Sequence, residues 1–211
     1  TQIFEERFAV FAEKLLKLAL QMQEPPTEFE FYTVAALVYF VEEQCDFAVI
    51  EAGMGGRLDA TNILQNTVLS IITNIGIDHK EYLGDTIEQI AQEKAGIIKP
   101  GVPIAVYPSE SCAVEVIKTE AHRQKCSCII ADEERMERIS TGKSNSSSVM
   151  QYATANGQVY CVELAMNAEF QRRNCMLALE AVELLRTQNL CISESLKKRD
   201  NNILYHHKTN D

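Results

Sequence analysis

A glycine-rich segment that directly follows a short apolar run limits the folds open to this chain. The apolar run covers residues 46–50, and the segment EAGMGGRLDATN covers residues 51–62. An apolar run that is bounded by polar residues and ends in glycines is typical of a buried strand in a parallel sheet. Ligands of open α/β sheets bind just beyond the carboxyl ends of the strands. The pattern therefore predicts a ligand site at a strand end, although such glycines also occur in tight connections with solvated charges.

A second apolar run predicts a second strand end with polar residues. Residues 68–73 are apolar, and Asn74, Asp78 and His79 follow them. A lone histidine is more often structural, but His79 and Glu51 are both predicted at the same edge of the sheet. A carboxylate and an imidazole together are a plausible ligand pair for a divalent ion.

The order of the predicted elements indicates an α/β fold with a doubly wound, mostly parallel sheet and flanking helices, plus a small β-hairpin. Further strands are predicted at residues 103–107 and 127–130, and helices at residues 5–21, 29–43, 112–124 and 170–186. Asn156 and Gly157 between two alternating runs predict a hairpin with a type I′ turn. Residues 140–149 are predicted to form a polar loop.

A short helix before residue 96 carries a lysine on its apolar face. Asp85 and Glu88 predict a capping box, and Gly96 is placed to end the helix at the C′ position. The positions that share one face are Ile87, Ile90, Ala91 and Lys94. In one interpretation, the aliphatic part of the Lys94 side chain packs against the apolar face while its ammonium group reaches water. In the other, Lys94 is chemically modified or pairs with an anionic ligand.

Charge and hydropathy favour a globular cytoplasmic protein. The 30 acidic and 20 basic side chains give a net charge of -10, which disfavours non-specific binding to nucleic acid or to an anionic membrane. No apolar run approaches the roughly 20 residues that span a bilayer, and the first 20 residues do not have the pattern of a signal peptide. The 7 cysteines include no CxxC pair and are predicted to be free thiols.

Three segments together resemble the central domain of folylpolyglutamate synthase/dihydrofolate synthase, in the Mur ligase superfamily. They are residues 51–62, residues 74–84 (NIGIDHKEYLG) and residues 93–101 (EKAGIIKPG), and the resemblance extends over roughly residues 1–187. It implies an ATP-dependent ligase that activates the carboxylate of dihydropteroate or a folate as an acyl phosphate, which the amino group of L-glutamate attacks. ATP and Mg²⁺ at two sites are the implied cofactors, and the family is usually monomeric.

The resemblance also implies roles for individual residues. Glu51, His79 and a carbamylated Lys94 match magnesium ligands, and His79 and Lys94 are the implied catalytic residues. Asn174 matches a residue near the adenine of ATP, although the usual histidine of that motif is replaced by Phe170. The positions that match contacts to the pterin are Thr27, Phe29, Asp59 and Ala60.

The chain also departs from the family pattern. The phosphate-binding loop and the C-terminal domain of such enzymes have no counterpart in it, so we expect a partial central domain over residues 1–187 that is inactive alone. Residues 188–211 are polar and are expected to be disordered. The alternatives are a non-catalytic module that binds a pterin or a protein, another Mur-type ligase, and a truncated product without function.

Overall fold

The computed structural model describes residues 5–77, 79–141, 147–165, 168–188 and 205–207, with the backbone alone at Thr141 and at residues 205–207. The chain divides into two compact units, Thr1–Leu64 and Gln65–Asp211. Each unit has its own core.

The first unit is built on two helices, α1 (Glu5–Ala19) and α2 (Glu28–Glu42), as the sequence predicts. Phe11 of α1 and Tyr39 of α2 are buried and pack edge to face, with ring centroids 6.2 Å apart. The N-terminus of α2 is closed by a capping box in which Thr27 and Glu30 bond each other's backbone N–H groups. After α2 the chain runs to a 3-10 turn, Ala60–Ile63.

The predicted strand at residues 46–50 is wrong. These residues are not in a strand, and Phe47 and Val49 are exposed, Val49 to 97%. A strand needs a neighbour to complete its hydrogen-bond ladder, and residues 5–64 contain no other strand beside which this run could pair.

The second unit contains the predicted parallel sheet. Its strand order is β1-β2-β3, formed by β1 (Ser70–Ile72), β2 (Ile104–Val106) and β3 (Cys128–Ile130). Both strand pairs are parallel and in register, with Ile71, Ala105 and Ile129 side by side across the sheet. The connecting helices are α3 (Lys80–Leu83), α4 (Ile87–Ala95) and α5 (Ser111–Arg123).

Helices cover both faces of this sheet, as in a doubly wound fold. Ile104 and Val106 point to one face and pack with buried side chains of α4 and α5, including Ile90 and Ile117. The opposite face is covered by α6 (Glu169–Thr187) through a cluster that contains Ala105, Tyr107, Leu177, Ala181 and Leu184. The alternation of the two faces follows from the period of two residues in a strand.

A separate antiparallel sheet packs against another side of α6. Its order is β4-β5-β6-β7, formed by β4 (Met136–Thr141), β5 (Ser148–Ala153), β6 (Val159–Leu164) and β7 (Tyr205–His207). The core between this sheet and α6 includes the fully buried side chains of Tyr152, Val162, Met176 and Leu179. Helix α6 is therefore shared by both sheets.

The β5–β6 hairpin is confirmed, but its turn is not type I′. Gly157 N–H donates to the Thr154 carbonyl, and Gly157 is left-handed with φ +88°, whereas Asn156 is not among the residues with positive φ. A type I turn followed by a glycine bulge fits this pattern. The side chain of Asn156 explains the difference, because its Nδ2 donates to buried Glu183 Oε2 at 2.6 Å.

Three smaller predictions also need correction. The N-cap of α4 is Thr86 with Gln89 in the capping box, in place of Asp85 and Glu88, and Gly96 at its C-cap has φ −61°, so it does not use the left-handed region. Strand β4 extends into the predicted polar loop, of which residues 142–146 lie outside the described part. The expected disordered tail lies mostly outside the described residues as well, but β7 within it pairs with β6.

The six cysteines that the structure describes are free, as predicted. Within the described ranges, no helix has the length and apolar character needed to cross a membrane.

Candidate functional site

The glycine segment of the first unit forms a tight turn with an aromatic ring pressed against it. A methyl group added to Gly53 would lie 2.4 Å from Cζ of Phe29, far inside van der Waals contact. Only glycine lets the backbone of residue 53 approach the ring this closely. The Phe29 ring is still 44% exposed, so it combines a fixed position with an accessible surface.

The Asp59 side chain stabilises the same turn through hydrogen bonds. Its Oδ2 accepts the Met54 N–H at 2.9 Å, and its Oδ1 accepts the backbone N–H and the hydroxyl of Thr61 at 2.9 and 2.6 Å. Partial burial raises the pKa of Asp59, but the donors of Thr61, Met54 and Gly53 outweigh it and hold the pKa below its ordinary value. The carboxylate is therefore ionised at neutral pH and caps the 3-10 turn that follows.

The four residues predicted to contact a pterin lie around this turn. Thr27 caps α2 two residues before Phe29, and its hydroxyl lies 2.8 Å from Glu30 Oε2. Ala60 begins the 3-10 turn that Asp59 caps. Glu51 lies in the extended segment just before the glycines, with an exposed side chain. An aromatic face from α2 and a carboxylate from the glycine segment are thus both held against one turn.

The second unit has a cavity at the carboxyl edge of its parallel sheet. Backbone hydrogen bonds continue the sheet past the strand ends, from Tyr107 N–H to the Ile72 carbonyl at 2.9 Å and from Ala131 N–H to the Val106 carbonyl at 3.0 Å. The cavity is a shallow, open depression with a volume of about 420 Å³, and its lining residues are Pro108, Ile130, Ala131, Asp132 and Glu133. Its position is the one that open α/β sheets use for ligands.

Arg173 of α6 connects the segments that follow β2 and β3. Its Nε lies 2.6 Å from Glu133 Oε1, and its Nη2 donates to Glu169 Oε1 at 2.8 Å. The Nε–H is buried and not aligned with a hydrogen-bond acceptor, so the contact with Glu133 is an ion pair rather than a linear hydrogen bond. The guanidinium carbon is 6.0 Å from the ring centroid of Tyr107, and contacts with Tyr107 and Glu133 raise the pKa of Arg173.

The remaining predicted site residues belong to the second unit. His79 begins α3 in a left-handed conformation with φ 47°, which non-glycine residues adopt at a cost of roughly 1–3 kcal/mol. Lys94 lies in the last turn of α4, half-buried beside the buried Ala91 and Ala95. Asn174 is exposed, next to Arg173 on α6.

The described residues do not form a complete metal site. They contain no group of three or more histidine, cysteine, aspartate or glutamate side chains that could hold a metal ion. Glu51 belongs to the first unit and His79 to the second, and Asp78 is outside the described part. A carboxylate and an imidazole suit a divalent ion chemically, but a lysine ammonium has no lone pair to donate unless it is modified. The structure therefore supplies no metal-centred geometry.

Residues 2–182 match the family model of the Mur ligase middle domain. The chain belongs to this family. Folate enzymes are among the relatives of the chain: it is 38% identical over 173 residues to dihydrofolate synthase/folylpolyglutamate synthase of Bacillus subtilis, covering 78% of this chain and 38% of that protein. The chain thus spans well under half the length of the curated relatives it matches.

Solved folylpolyglutamate synthases share this Mur ligase fold. The Mycobacterium tuberculosis enzyme complexed with ADP and AMPPCP superposes with a TM-score of 0.76 at 31% identity, over 88% of this chain and 44% of that one. A structure of an FPGS–AMPPCP–folate complex has the same TM-score at 30% identity, over 86% of this chain and 44% of that one.

Sequence reasoning missed the cavity edge and the buried acids of α6. Glu133, Tyr107 and Arg173 are far apart in sequence, and no local pattern marks them. Glu180 and Glu183 are almost fully buried, and their signal was present: two acidic residues three positions apart occupy an otherwise apolar helix face.

Proposed function

We propose that this Mur ligase middle domain is part of a ligase that adds L-glutamate to dihydropteroate or a folate, with ATP as the energy source. The observation that carries the proposal is the loop on which Gly53 brings Phe29 and Asp59 together. Family membership and the names of the relatives support it.

The loop has the chemistry to hold a pterin. A pterin is a flat heteroaromatic ring with amino and N–H donors on one edge. The exposed face of Phe29 offers a stacking surface, and the ionised carboxylate of Asp59 offers acceptor oxygens. Oδ1 accepts two bonds from Thr61, and Oδ2 accepts the Met54 N–H, so the carboxylate is held in a fixed position beside the exposed ring. Thr27 and Ala60 complete this proposed substrate contact.

The proposed reaction has two balanced steps. A substrate carboxylate oxygen attacks the γ-phosphorus of ATP, which forms an acyl phosphate and releases ADP. The amino nitrogen of L-glutamate then attacks the acyl carbon, the amide bond forms, and inorganic phosphate leaves while the amine loses a proton to solvent or a basic side chain. Holding acyl group and amine in position is the main contribution expected of the protein.

Asn174, Glu51, His79 and Lys94 complete the proposal. We assign Asn174 to the nucleotide, and Glu51, His79 and Lys94 to magnesium, which would neutralise the charge of the transferring phosphoryl group. Carbamylation would convert the Lys94 ammonium into an anionic oxygen ligand. Lys94 is half-buried among apolar neighbours, and no hydrogen bond or ion pair of its ammonium group is found among the described residues. We propose the cytoplasm as the location.

Pterin binding tests the substrate loop. Calorimetric titration of the chain with dihydropteroate is expected to show binding that Phe29→Ala weakens about tenfold, since a stacked aromatic contact is lost. Phe47→Ala is the matched control, because Phe47 is a similarly exposed phenylalanine of the first unit that does not face the glycine turn. Equal affinities of the two variants, or no binding by the unaltered chain, would contradict the assignment.

Carbamylation of Lys94 has a direct spectroscopic test. In ¹³C-bicarbonate, the chain is expected to show a carbamate carbon signal that disappears in Lys94→Arg. Lys99→Arg is the control, since Lys99 is also half-buried and lies just beyond the same helix. A signal that persists in Lys94→Arg, or that is absent throughout, would count against a carbamylated lysine at this position.

A further inference from the structure

Arg173 lies where the two strand-end segments of the cavity meet α6. One segment follows β2 and contains Tyr107 and Pro108, and the other follows β3 and contains Asp132 and Glu133. The Arg173 guanidinium contacts Tyr107 on the first and Glu133 on the second. The side chain is thus a cross-brace between three separate pieces of chain.

The wall formed by Asp132 and Glu133 is flanked by Ala131 and Met136, which pack in the core against α6, but the polar contacts of Asp132 itself are long or local. The Asp132 N–H donates to the Tyr152 hydroxyl at a long 3.4 Å, and the Asp132 carboxylate bonds within its own turn, to Glu134 N–H at 3.1 Å. Its ion pair with Arg135, at 3.2 Å, is also local. The contact from Arg173 to Glu133, at 2.6 Å, is therefore the short link from this wall to α6.

The same helix turn carries Asn174. Successive helix positions are about 100° apart and 1.5 Å along the axis, so Asn174 lies directly beside Arg173 on α6. Arg173 is 32% exposed at its side chain and is held by Glu133 and Glu169 on two sides. The contact between Arg173 and Glu133 thereby holds the Asp132–Glu133 wall next to the helix turn that carries Asn174.

We infer that Arg173 is a positioning residue: it braces the Asp132–Glu133 wall of the cavity against α6, beside Asn174, and so keeps the two sides of a nucleotide site together. This inference rests on the proposed assignment of Asn174 to ATP. A forked guanidinium meets Glu133, Glu169 and the Tyr107 ring at once, which a single ammonium group does not. Arg173 itself has no assigned contact with the substrate.

Amide hydrogen exchange tests the brace in the chain as it exists. Arg173→Met is expected to speed exchange in residues 131–136 at least fivefold, whereas exchange in the β5–β6 hairpin stays within twofold of the unaltered chain. Arg172→Met is the matched control, because it removes the same charge one position away, and it is expected to change neither. Arg173→Lys is expected to give an intermediate rate. Equal effects of Arg173→Met and Arg172→Met, or a rise of the same size in the hairpin, would overturn the inference.

Nucleotide affinity separates a positioning role from a purely structural one. Titration with AMPPCP and Mg²⁺ is expected to give a dissociation constant about tenfold higher for Arg173→Met, unchanged for Arg172→Met, and partly restored for Arg173→Lys. Binding that is unaffected in Arg173→Met would overturn the role of Arg173 and leave the proposed function intact. No binding to the unaltered chain would overturn the role and the nucleotide assignment together.

Discussion

Glu180 and Glu183 are two buried carboxylates that join α6 to the hairpin. Glu180 Oε1 accepts the Tyr152 hydroxyl at 2.7 Å and the Ala155 N–H at 2.9 Å. Glu183 accepts from Asn156, Tyr160 and Arg186. Burial raises the pKa of Glu180 above its ordinary 4.5, because the donors around it do not fully replace water. Glu180 therefore links α6 to the hairpin, but burying its negative charge costs free energy.

Substitution of Glu180 tests this cost through pH. An acid with a raised pKa in the folded state binds its proton more tightly there than in the unfolded chain, so its stabilising contribution is lost as the pH rises above 4.5 and through the folded pKa. Glu180→Gln keeps the accepting oxygen without the charge. We expect it to remove this decline and to leave the free energy of unfolding at pH 7 unchanged or higher, as measured by urea denaturation at several pH values.

The paired variant for this experiment is Glu180→Ala. It leaves the Tyr152 hydroxyl and the Ala155 N–H without their acceptor, and we expect a loss of about 1–3 kcal/mol at pH 7. If Glu180→Gln were as destabilising as Glu180→Ala, the charge itself would be needed and the interpretation would be wrong.

At the scale of elements, two helices end in the same motif with an unusual residue. After α5, Cys126 N–H bonds the Ala121 carbonyl at 2.8 Å and Lys125 N–H bonds the His122 carbonyl at 3.0 Å, the two bonds of a Schellman motif. The left-handed position of this motif favours glycine, but here it holds Lys125 with φ 58°. Gln44, with φ 52°, takes the same position after α2.

Glycine at the left-handed position is expected to stabilise the protein. Lys125→Gly removes steric strain of about 1–2 kcal/mol from the folded state. Glycine also increases the conformational entropy of the unfolded chain, which offsets part of this gain and leaves a net stabilisation of about 0.5–1 kcal/mol. Thermal denaturation measures the gain. Lys118→Gly, in the middle of α5, is the control and should lose about 1 kcal/mol. A loss at both positions would show that the left-handed strain at Lys125 is not limiting.

The elements that were predicted well are those fixed by local pattern. The helices and the strands β1, β2 and β3 follow from periodicity and from apolar runs. Residues 46–50 have the same kind of run, yet form no strand, because a strand also depends on a partner that a local pattern does not contain. The turn at Asn156 was misjudged for a similar reason: its bond to Glu183 comes from a distant helix.

The residues of the candidate site also fall into those that the sequence could locate and those that it could not. Resemblance located Phe29 and Asp59, and the structure adds that both contact one glycine turn. The brace around Arg173 had no sequence signal, because Tyr107, Glu133 and Arg173 meet only after two strands and a helix have come together. Whether Glu51, His79, Lys94 and Asn174 act as proposed stays a prediction.

At the scale of the whole molecule, α6 holds the second unit together. It covers one face of the parallel sheet and also packs under the antiparallel sheet. At its end Gln188 Nε2 donates to the Val68 carbonyl, 120 residues earlier in the chain. The second unit thus depends on contacts between residues far apart in sequence.

This arrangement has a consequence for synthesis on the ribosome. The strands β1, β2 and β3 emerge well before α6, and until α6 arrives the apolar side chains of Ala105 and Leu69 have no cover on that face. At about 5–20 residues per second, translation of the roughly 100 residues from β1 to α6 leaves that face open for on the order of 5–20 s. We therefore expect the nascent chain to expose this face to chaperones during the interval, until α6 docks on the sheet.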